Sequence, residues 1–377
     1  MKMPNAVIRE EIQKSGAIPF ARFMELALYC PETGYYERNR DNVGRRGDFI
    51  TSVSTGSLFG ELLAFQFAEW LAEFPISNFQ FPIVEAGAHD GKLACDILNW
   101  LKKFRPELFA GFEYFILEPS PTRQQWQRET LKDFPNVRWF TNFEKLKLQT
   151  QNSKRHGLLF GNELLDAFPV RRFGWDAKVK NWFEWGVALV GEKFVWTRLS
   201  VSLAPSDGER AGVRGLSSAI CHLPSALLSA LPDGYVVEDS PAAENWWREA
   251  AEIFTRGKLL AIDYGFTAEE QFSPSRTNGT LRAYHRHQVS DDLLANVGEQ
   301  DLTAHVNFSA IQKVGEEAGL RTEDFCTQPQ FLTRILQKAV VEKSFADWNA
   351  PRARQFQTLT HPEHLGRAFR MLVQSRA

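Results

Sequence analysis

The chain has 377 residues, enough for two or three domains or for one large domain carrying an insertion. Its 44 Lys and Arg nearly cancel its 46 Asp and Glu, which argues against general nucleic-acid binding by phosphate neutralisation. With 44% hydrophobic and 24% charged residues, the composition excludes disorder as the main state and supports a large core.

No run approaches the ~18 apolar residues of a membrane span, and no signal-type apolar core follows a basic start. Cys30, Cys95, Cys221 and Cys326 are far apart and form no Cys-x-x-Cys pair, so reduced thiols and a cytoplasmic location are expected, with no cysteine zinc site. The 30 Phe and 11 Trp are read first as bulky core and second as a ligand groove.

In chain order, Pro19 to Tyr29 carries Phe20, Phe23, Met24, Ala27 and Leu28 at helical spacing. Pro31 to Gly34 is a turn, Asn39 to Gly47 a charged loop, and Ser57 to Glu73 a second helix; together these form an N-terminal helical cap. From Phe81 the pattern alternates. Strands are expected at Phe81–Ala86, Tyr114–Glu118, Val137–Phe140 and Gly157–Phe160, with helices at Leu93–Phe104 and Pro121–Leu131. That alternation signifies a parallel α/β sheet with right-handed crossovers. Val170 to Val201 reads as a β-meander with interleaved tryptophans, and Ala204 to Ser218 as a loop. Strands follow at Tyr235–Glu238 and Lys258–Asp263, helices at Ala242–Phe254 and Phe308–Ala318, a polar loop at Thr267–Thr280, and extended stretches at Leu281–Tyr284 and Thr322–Thr327.

The segment Glu85-Ala86-Gly87-Ala88-His89-Asp90-Gly91 lies between a strand and a helix, where Gly87 and Gly91 permit a tight turn and close approach to a ligand. Glu118 ends the next strand at the same sheet edge, where a carboxylate suits the two ribose hydroxyls of an adenosine cofactor; a plain turn and a solvated acid are the alternative. Lys92 is followed by Leu93, against an ATP-type loop, and His89 takes the middle glycine of a dinucleotide loop. With Glu85 before the loop, a ligand with a positive end is favoured, and S-adenosylmethionine fits.

After the fourth strand comes Gly161-Asn162-Glu163-Leu164-Leu165-Asp166-Ala167-Phe168-Pro169. If a helical turn starts there, Glu163 and Asp166 share a face, able to grip a guanidinium, while Asn162 orients a substrate nitrogen. Helix-start acids with no further role are the alternative. Asp263 ends a strand at a cleft or sits in a turn. His285, His287 and His305 lack acids at ligand spacing, so no metal site is expected.

These residues carry a resemblance. Pro19 to Met24 through Gly34-Tyr35-Tyr36, Gly47-Asp48-Phe49-Ile50-Thr51-Ser52 with Phe59-Gly60-Glu61, the Glu85 to Gly91 loop, Asn162 to Val170, Ile262-Asp263-Tyr264-Gly265, Gly279 to Tyr284, and Gly298 with Asp301 to Phe308 occur in order over about 290 positions. The chain resembles the MidA family of S-adenosylmethionine-dependent methyltransferases, which includes the mitochondrial complex I assembly methyltransferases.

The resemblance implies an α/β, Rossmann-like class I methyltransferase core of the seven-stranded type, with an N-terminal helical cap and an inserted β-rich second lobe. The corresponding divisions are residues 1–78 (cap and cofactor-covering loop), 79–169 (first part of the core), 170–232 (inserted lobe) and 233–377 (remaining core, substrate-side and C-terminal helical elements). It implies S-adenosylmethionine bound at Gly87, Gly91 and Glu118, with Gly47, Asp48, Thr51 and Ser52 folded over it; the loop reading adds Glu85 to the cofactor set. Asn162, Glu163 and Asp166 are the expected catalytic set, and Asp263, His287 and His305 the expected substrate cleft. Two departures stand out: Val53-Ser54 replaces the family's Pro-Glu, removing a carboxylate, and His89 replaces a loop glycine.

The expected activity is methylation of a protein arginine nitrogen. A small-molecule O- or N-methyltransferase and a non-catalytic assembly factor are the competing readings. Partners are expected to be a protein substrate or a small-molecule acceptor, without nucleic acid or a membrane span; a homodimer is left open.

Overall fold

The computed structural model describes residues 3–31, 33–38, 51–73, 82–150, 156–199, 230–285, 288–342, 345 and 348–376. The expected Asn39–Gly47 and Ala204–Ser218 loops, Gly47, Asp48 and His287 lie outside the described residues. The chain divides into two compact units, each assembled from separated segments: Met1–Asn39, Asp166–Trp246 and Phe266–Lys313 in one, and Arg40–Leu165, Trp247–Gly265 and Val314–Ala377 in the other.

The second of these is a doubly wound α/β unit. Its strands are β1 (Ile83–Ala86), β2 (Tyr114–Leu117), β3 (Val137–Phe140), β4 (His156–Asn162), β5 (Arg256–Phe266), β6 (Arg321–Thr327) and β7 (Phe369–Arg376). They lie in the order β6-β7-β5-β4-β1-β2-β3. β1 to β5 run parallel, and β7 is antiparallel to both β5 and β6. All four β1 residues and all four β2 residues are buried, as parallel strands covered on both faces require.

Strand order reverses at β1, whose register sets Ala86 opposite both Leu117 of β2 and Gly161 of β4. The turns leaving β1, β2 and β4 therefore leave one carboxyl edge at the topological switch point, where open α/β sheets bind ligands. The helices Leu58–Ala72 and Lys92–Phe104 contribute to the same core. Gly60 allows their approach, since a Cβ there would stand 2.6 Å from Asp96 Cβ.

The C-terminal elements of this unit are not announced by periodicity. C-terminal helical elements are expected without bounds, and helices stand at Gln328–Val341 and Ala350–Thr360; β7 is not expected from the sequence pattern. β7 carries a buried Gln374 that tertiary partners satisfy: Trp247 Nε1 donates to its Oε1 at 2.8 Å, and its Nε2 donates to Thr322 Oγ1 at 3.0 Å.

The other unit is built on antiparallel strands. The expected meander is present as Arg171–Asp176, Asn181–Val190 and Lys193–Arg198; Ala17–Pro19 adds to Asn181–Val190 and Val236–Asp239 to Arg171–Asp176. Trp175 and Trp182 are buried with ring centroids 5.2 Å apart, which supports core packing for this part of the tryptophan series. A three-stranded sheet, Gln288–Ser290, Arg282–His285 and Asp301–Thr303, lies in the same unit. The helix Pro4–Ser15 buries Ile8 and Ile12 one turn apart. The segments expected to form one N-terminal cap divide between the units, with Phe20–Tyr29 in this one and Leu58–Ala72 in the α/β unit.

Candidate active site

The turn after β1 owes its shape to its glycines. Gly87 has φ 72° and Gly91 φ 83°, backbone that side chains adopt only at a cost. A Cβ on Gly87 would stand 2.8 Å from Leu164 Cδ1, and one on Gly91 3.3 Å from Gln127 Cα. His89 also lies in the left-handed region, at φ 45°. The unusual residue of this loop therefore sits where a glycine is the unstrained choice. Lys92 opens the following helix, its amide bonded to Asp90 Oδ1 at 3.1 Å.

The two strand-end acids play different parts. Glu85 lies within β1, is buried, and accepts from the Tyr114 hydroxyl at 2.6 Å. Burial raises its pKa to about 8, the Tyr114 bond opposing and Asp90 assisting. Near pH 7 these surroundings keep a proton on it. Glu118 is 1% exposed and tightly framed. Its Oε1 accepts from the Ser120 amide at 2.9 Å and from Arg123 Nε at 3.0 Å and a terminal Arg123 nitrogen at 2.9 Å. Its Oε2 accepts from Gln127 Nε2 at 3.2 Å, leaving acceptor capacity on that oxygen for a hydroxyl.

Gln127 was not singled out by sequence. Fully buried, it donates from Nε2 to the His89 carbonyl at 3.1 Å as well as to Glu118, and its Oε1 accepts from Trp139 Nε1 at 3.0 Å. It ties the β1 turn to the β2 acid. Its only sequence signal is a polar residue on the buried face of an otherwise polar helix, Pro121–Thr130.

Thr51 and Ser52 also belong to the α/β unit. Thr51 and Ser54 form a closed ring in which each residue's hydroxyl accepts from the other's amide, at 3.0 and 3.1 Å. The Ser52 hydroxyl is turned inward onto Gln328 Oε1 at 3.2 Å. Ser54, which stands where the family's carboxylate is missing, thus has a local structural use.

The turn after β4 is not helical. Glu163 has φ 51°, so the expected helical spacing of Glu163 and Asp166 does not apply. The Asn162 side-chain amide donates to Glu163 Oε1 at 3.2 Å, and Asn162 Oδ1 is a buried acceptor without a hydrogen-bond partner among the described residues. Asp263, expected in a substrate cleft, is instead fully buried, its carboxylate bonded to the backbone amides of Leu164, Leu165 and Tyr264.

Asp166 and His305 fall in the antiparallel unit, where the Asp166 carbonyl accepts from the Ala304 amide at 2.9 Å. The His305 ring stacks on Phe266 at 4.6 Å, a ring that Arg276 also meets at 4.1 Å. Four residues with no assigned role, Tyr29, Tyr36, Tyr284 and Asp301, join Asp166 in this unit. The Tyr36 hydroxyl donates to the buried Asp301 at 2.7 Å, and Tyr36 packs against Tyr29. Burial, then Asp301, Tyr29 and Asp166, hold the Tyr36 proton well above its ordinary range. Asp301 and Asp166 also act on Tyr284 after its own burial and the opposing Arg282.

Among the described residues no group of three or more His, Cys, Asp or Glu is arranged to hold a metal ion, and no helix is long and apolar enough to cross a membrane.

The sequence family described as "putative S-adenosyl-L-methionine-dependent methyltransferase" matches residues 62–326. The chain belongs to this family. It is a methyltransferase dependent on S-adenosylmethionine, and a glycine turn at the switch point of an α/β sheet suits such a cofactor. It is 30% identical to the mitochondrial protein arginine methyltransferase NDUFAF7 homologue of Drosophila melanogaster, over 97% of this chain and 83% of that one. To the human mitochondrial protein arginine methyltransferase NDUFAF7 it is 26% identical, over 95% and 80%. A crystal structure of a Burkholderia thailandensis protein bound to S-adenosylhomocysteine matches with TM-score 0.81 at 30% identity, covering 99% of this chain and 92% of that one.

These findings overturn the expected cytoplasmic location, since the named animal relatives are mitochondrial proteins. Scattered cysteines report that the thiols are not paired in sequence; they do not report a compartment.

Proposed function

We propose that the methyl acceptor is an arginine nitrogen of a protein, and that the carboxylates of this chain recognise its guanidinium. The relatives named as protein arginine methyltransferases support this reading. The observation that carries it in the structure is Asp301, a buried acid that accepts from the Tyr36 hydroxyl at 2.7 Å while Tyr36 packs against Tyr29. Carboxylates bind the planar fork of a guanidinium in bidentate fashion, and tyrosine faces suit its delocalised cation.

The residues of the α/β unit fit the cofactor. Gly87 and Gly91 let the turn after β1 take its positive φ and pack closely on Leu164 and Gln127, Glu118 Oε2 can take a ribose hydroxyl, and Asn162 Oδ1 is an acceptor ready for an N–H donor. When bound, S-adenosylmethionine supplies an electrophilic methyl group. The protein's part is to orient the acceptor nitrogen through Asn162 and Glu163 and to receive the proton that nitrogen releases. Thr51 and Ser52 contribute to the cofactor side through the fold of their turn.

Transfer of labelled methyl from S-adenosylmethionine into a mitochondrial protein extract, followed by mass spectrometry of the labelled fraction, tests the reading. Label on arginine side chains is the expected result. Label confined to soluble small molecules would transfer the assignment to a small-molecule acceptor, and absence of transfer by a chain that binds S-adenosylhomocysteine would favour a non-catalytic assembly role.

A further inference from the structure

We propose that Asp263 is a positioning residue of the methyl-transfer site, acting through the backbone of the turn after β4 and not by presenting its charge to a ligand. The proposal rests on the reading of Gly87 to Gly91 as the cofactor turn. β4 and β5 pair in parallel as far as Asn162 and Ile262, and the Glu163 amide makes one more bond to the Ile262 carbonyl at 2.8 Å. There the chain leaves the ladder through the left-handed conformation of Glu163, φ 51°. The next two amides have no strand to pair with. Asp263 Oδ2 receives both, from Leu164 at 3.1 Å and Leu165 at 2.8 Å, while Oδ1 receives the Tyr264 amide at 2.8 Å. A fully buried carboxylate thus stands in for the missing carbonyls and fixes a turn that a glutamate would not adopt unaided.

Fixing that turn also fixes Leu164. Its Cδ1 lies 2.8 Å from where a Cβ of Gly87 would be, and its Cδ2 2.9 Å from where a Cβ of Gly161 would be. Leu164 therefore occupies the space two glycines leave open, one of them the first glycine of the cofactor turn. The line of action runs from the Asp263 carboxylate to the Leu164 and Leu165 amides, then from the Leu164 side chain to Gly87. It places Asn162 and Glu163 on one side of Leu164 and the cofactor turn against it, so one buried acid sets both.

The charge and the acceptor oxygens of Asp263 are separable. Asp263→Asn keeps an oxygen able to occupy the Oδ2 position, removes the charge and gives up the Tyr264 amide bond at the Oδ1 position; Asp263→Ala removes the charge and all three bonds. S-adenosylhomocysteine affinity of the full chain, measured by calorimetry, is expected to stay within about threefold of wild type in Asp263→Asn and to fall at least about tenfold in Asp263→Ala, which loses three charge-assisted amide bonds. Hydrogen exchange should show the Leu164 and Leu165 amides protected in wild type and Asp263→Asn and released in Asp263→Ala, while β5 keeps its protection. Leu164→Ala should also weaken binding, and the Asp263→Ala/Leu164→Ala double variant should be no weaker than the worse single variant within about threefold, because both act on one contact.

If Asp263→Ala does not fold, Asp263→Asn and Leu164→Ala decide alone. Near wild-type affinity in the first with a loss in the second supports the proposal. A tenfold or greater loss in Asp263→Asn with the Leu164 and Leu165 amides still protected shows that holding those two amides is not what matters and overturns it, as does unchanged affinity in Leu164→Ala. Failure of the wild-type chain to bind S-adenosylhomocysteine would overturn the cofactor reading and this proposal with it, an outcome distinct from binding by wild type with unresponsive variants.

Discussion

The turns leaving β1 and β2 and the turn leaving β4 start from the same carboxyl edge, yet they are held in different ways. The first two are tied to each other by side chains from within 42 positions of chain, Glu85 to Gln127, with Gln127 joining the His89 carbonyl to Glu118 and Arg123 closing on the same acid. The third is held by Asp263, a hundred positions after Asn162 and on another strand. In the first region an acid is kept available, with an Oε2 acceptor site still open; in the second an acid is consumed by backbone amides. A strand-end carboxylate in an α/β edge is therefore a ligand group or a backbone clamp depending on how many amides lie within its reach, and residue type alone does not separate the two.

Breaking the first region at its acid should have the largest effect. Glu118→Ala leaves Arg123, with a side chain only 12% exposed, beside no carboxylate. Removing one partner of a buried pair costs about 3–5 kcal/mol of stability, to be read by chemical denaturation. S-adenosylhomocysteine affinity should fall with it, and Glu118→Gln should retain more of both. A stability loss under about 1 kcal/mol would show that Glu118 is not the keystone of this edge.

The neighbouring acid should behave in the opposite sense. Glu85 has its pKa raised from about 4.5 to about 8, so between these values the folded state holds a proton that the unfolded chain has released. Stability then falls as pH rises through that window, by up to about 1.4 kcal/mol per pH unit from this group. Glu85→Gln should flatten that slope in thermal denaturation across the window and gain relative to wild type at its upper end. Identical slopes in the two proteins would return Glu85 to a charged role.

Gln127→Ala sharpens the link between the two turns. It removes the donor to His89 and Glu118 and leaves Trp139 Nε1 without its acceptor, a loss of about 1–3 kcal/mol. In a double-mutant cycle with Glu118→Gln the two losses should be non-additive by about 0.5 kcal/mol or more, because they share one contact. Additive losses would mean that the β1 turn and the β2 acid are independent. The smallest effect is expected at His89→Gly. Relief of the left-handed strain at φ 45° is offset by glycine's unfolded-state entropy, leaving a gain of about 0.5 kcal/mol with cofactor affinity unchanged. A loss of affinity would give the imidazole a ligand role.

The elements that carry local signals were legible. The apolar run of β1, the glycines that turn it into a helix, the strand ending at Glu118 and the tryptophan-rich meander all follow from short-range patterns, since burial on both faces and positive φ leave marks in adjacent residues. Asn162 and Glu163 were legible as a polar interruption after a buried strand.

What neighbouring residues cannot specify is the partner of a buried polar group. Glu85 and Glu118 are both strand-end glutamates in sequence; Tyr114 and desolvation keep a proton on one, while Arg123, Gln127 and the Ser120 amide frame the other. Asp263 reads as the end of a strand, and only the parallel pairing of β4 with β5 delivers the Leu164 and Leu165 amides to it. β7 was invisible because Gln374 breaks its apolar pattern, and Trp247 and Thr322, brought in from distant segments, are what make that glutamine tolerable in a core. The sequence by itself determined the sheet class and the glycine turn after β1, because backbone conformation and continuous burial are properties of neighbours along the chain. Only the tertiary structure decided which acids stay open to a ligand, because a carboxylate's role depends on the donors that folding places around it.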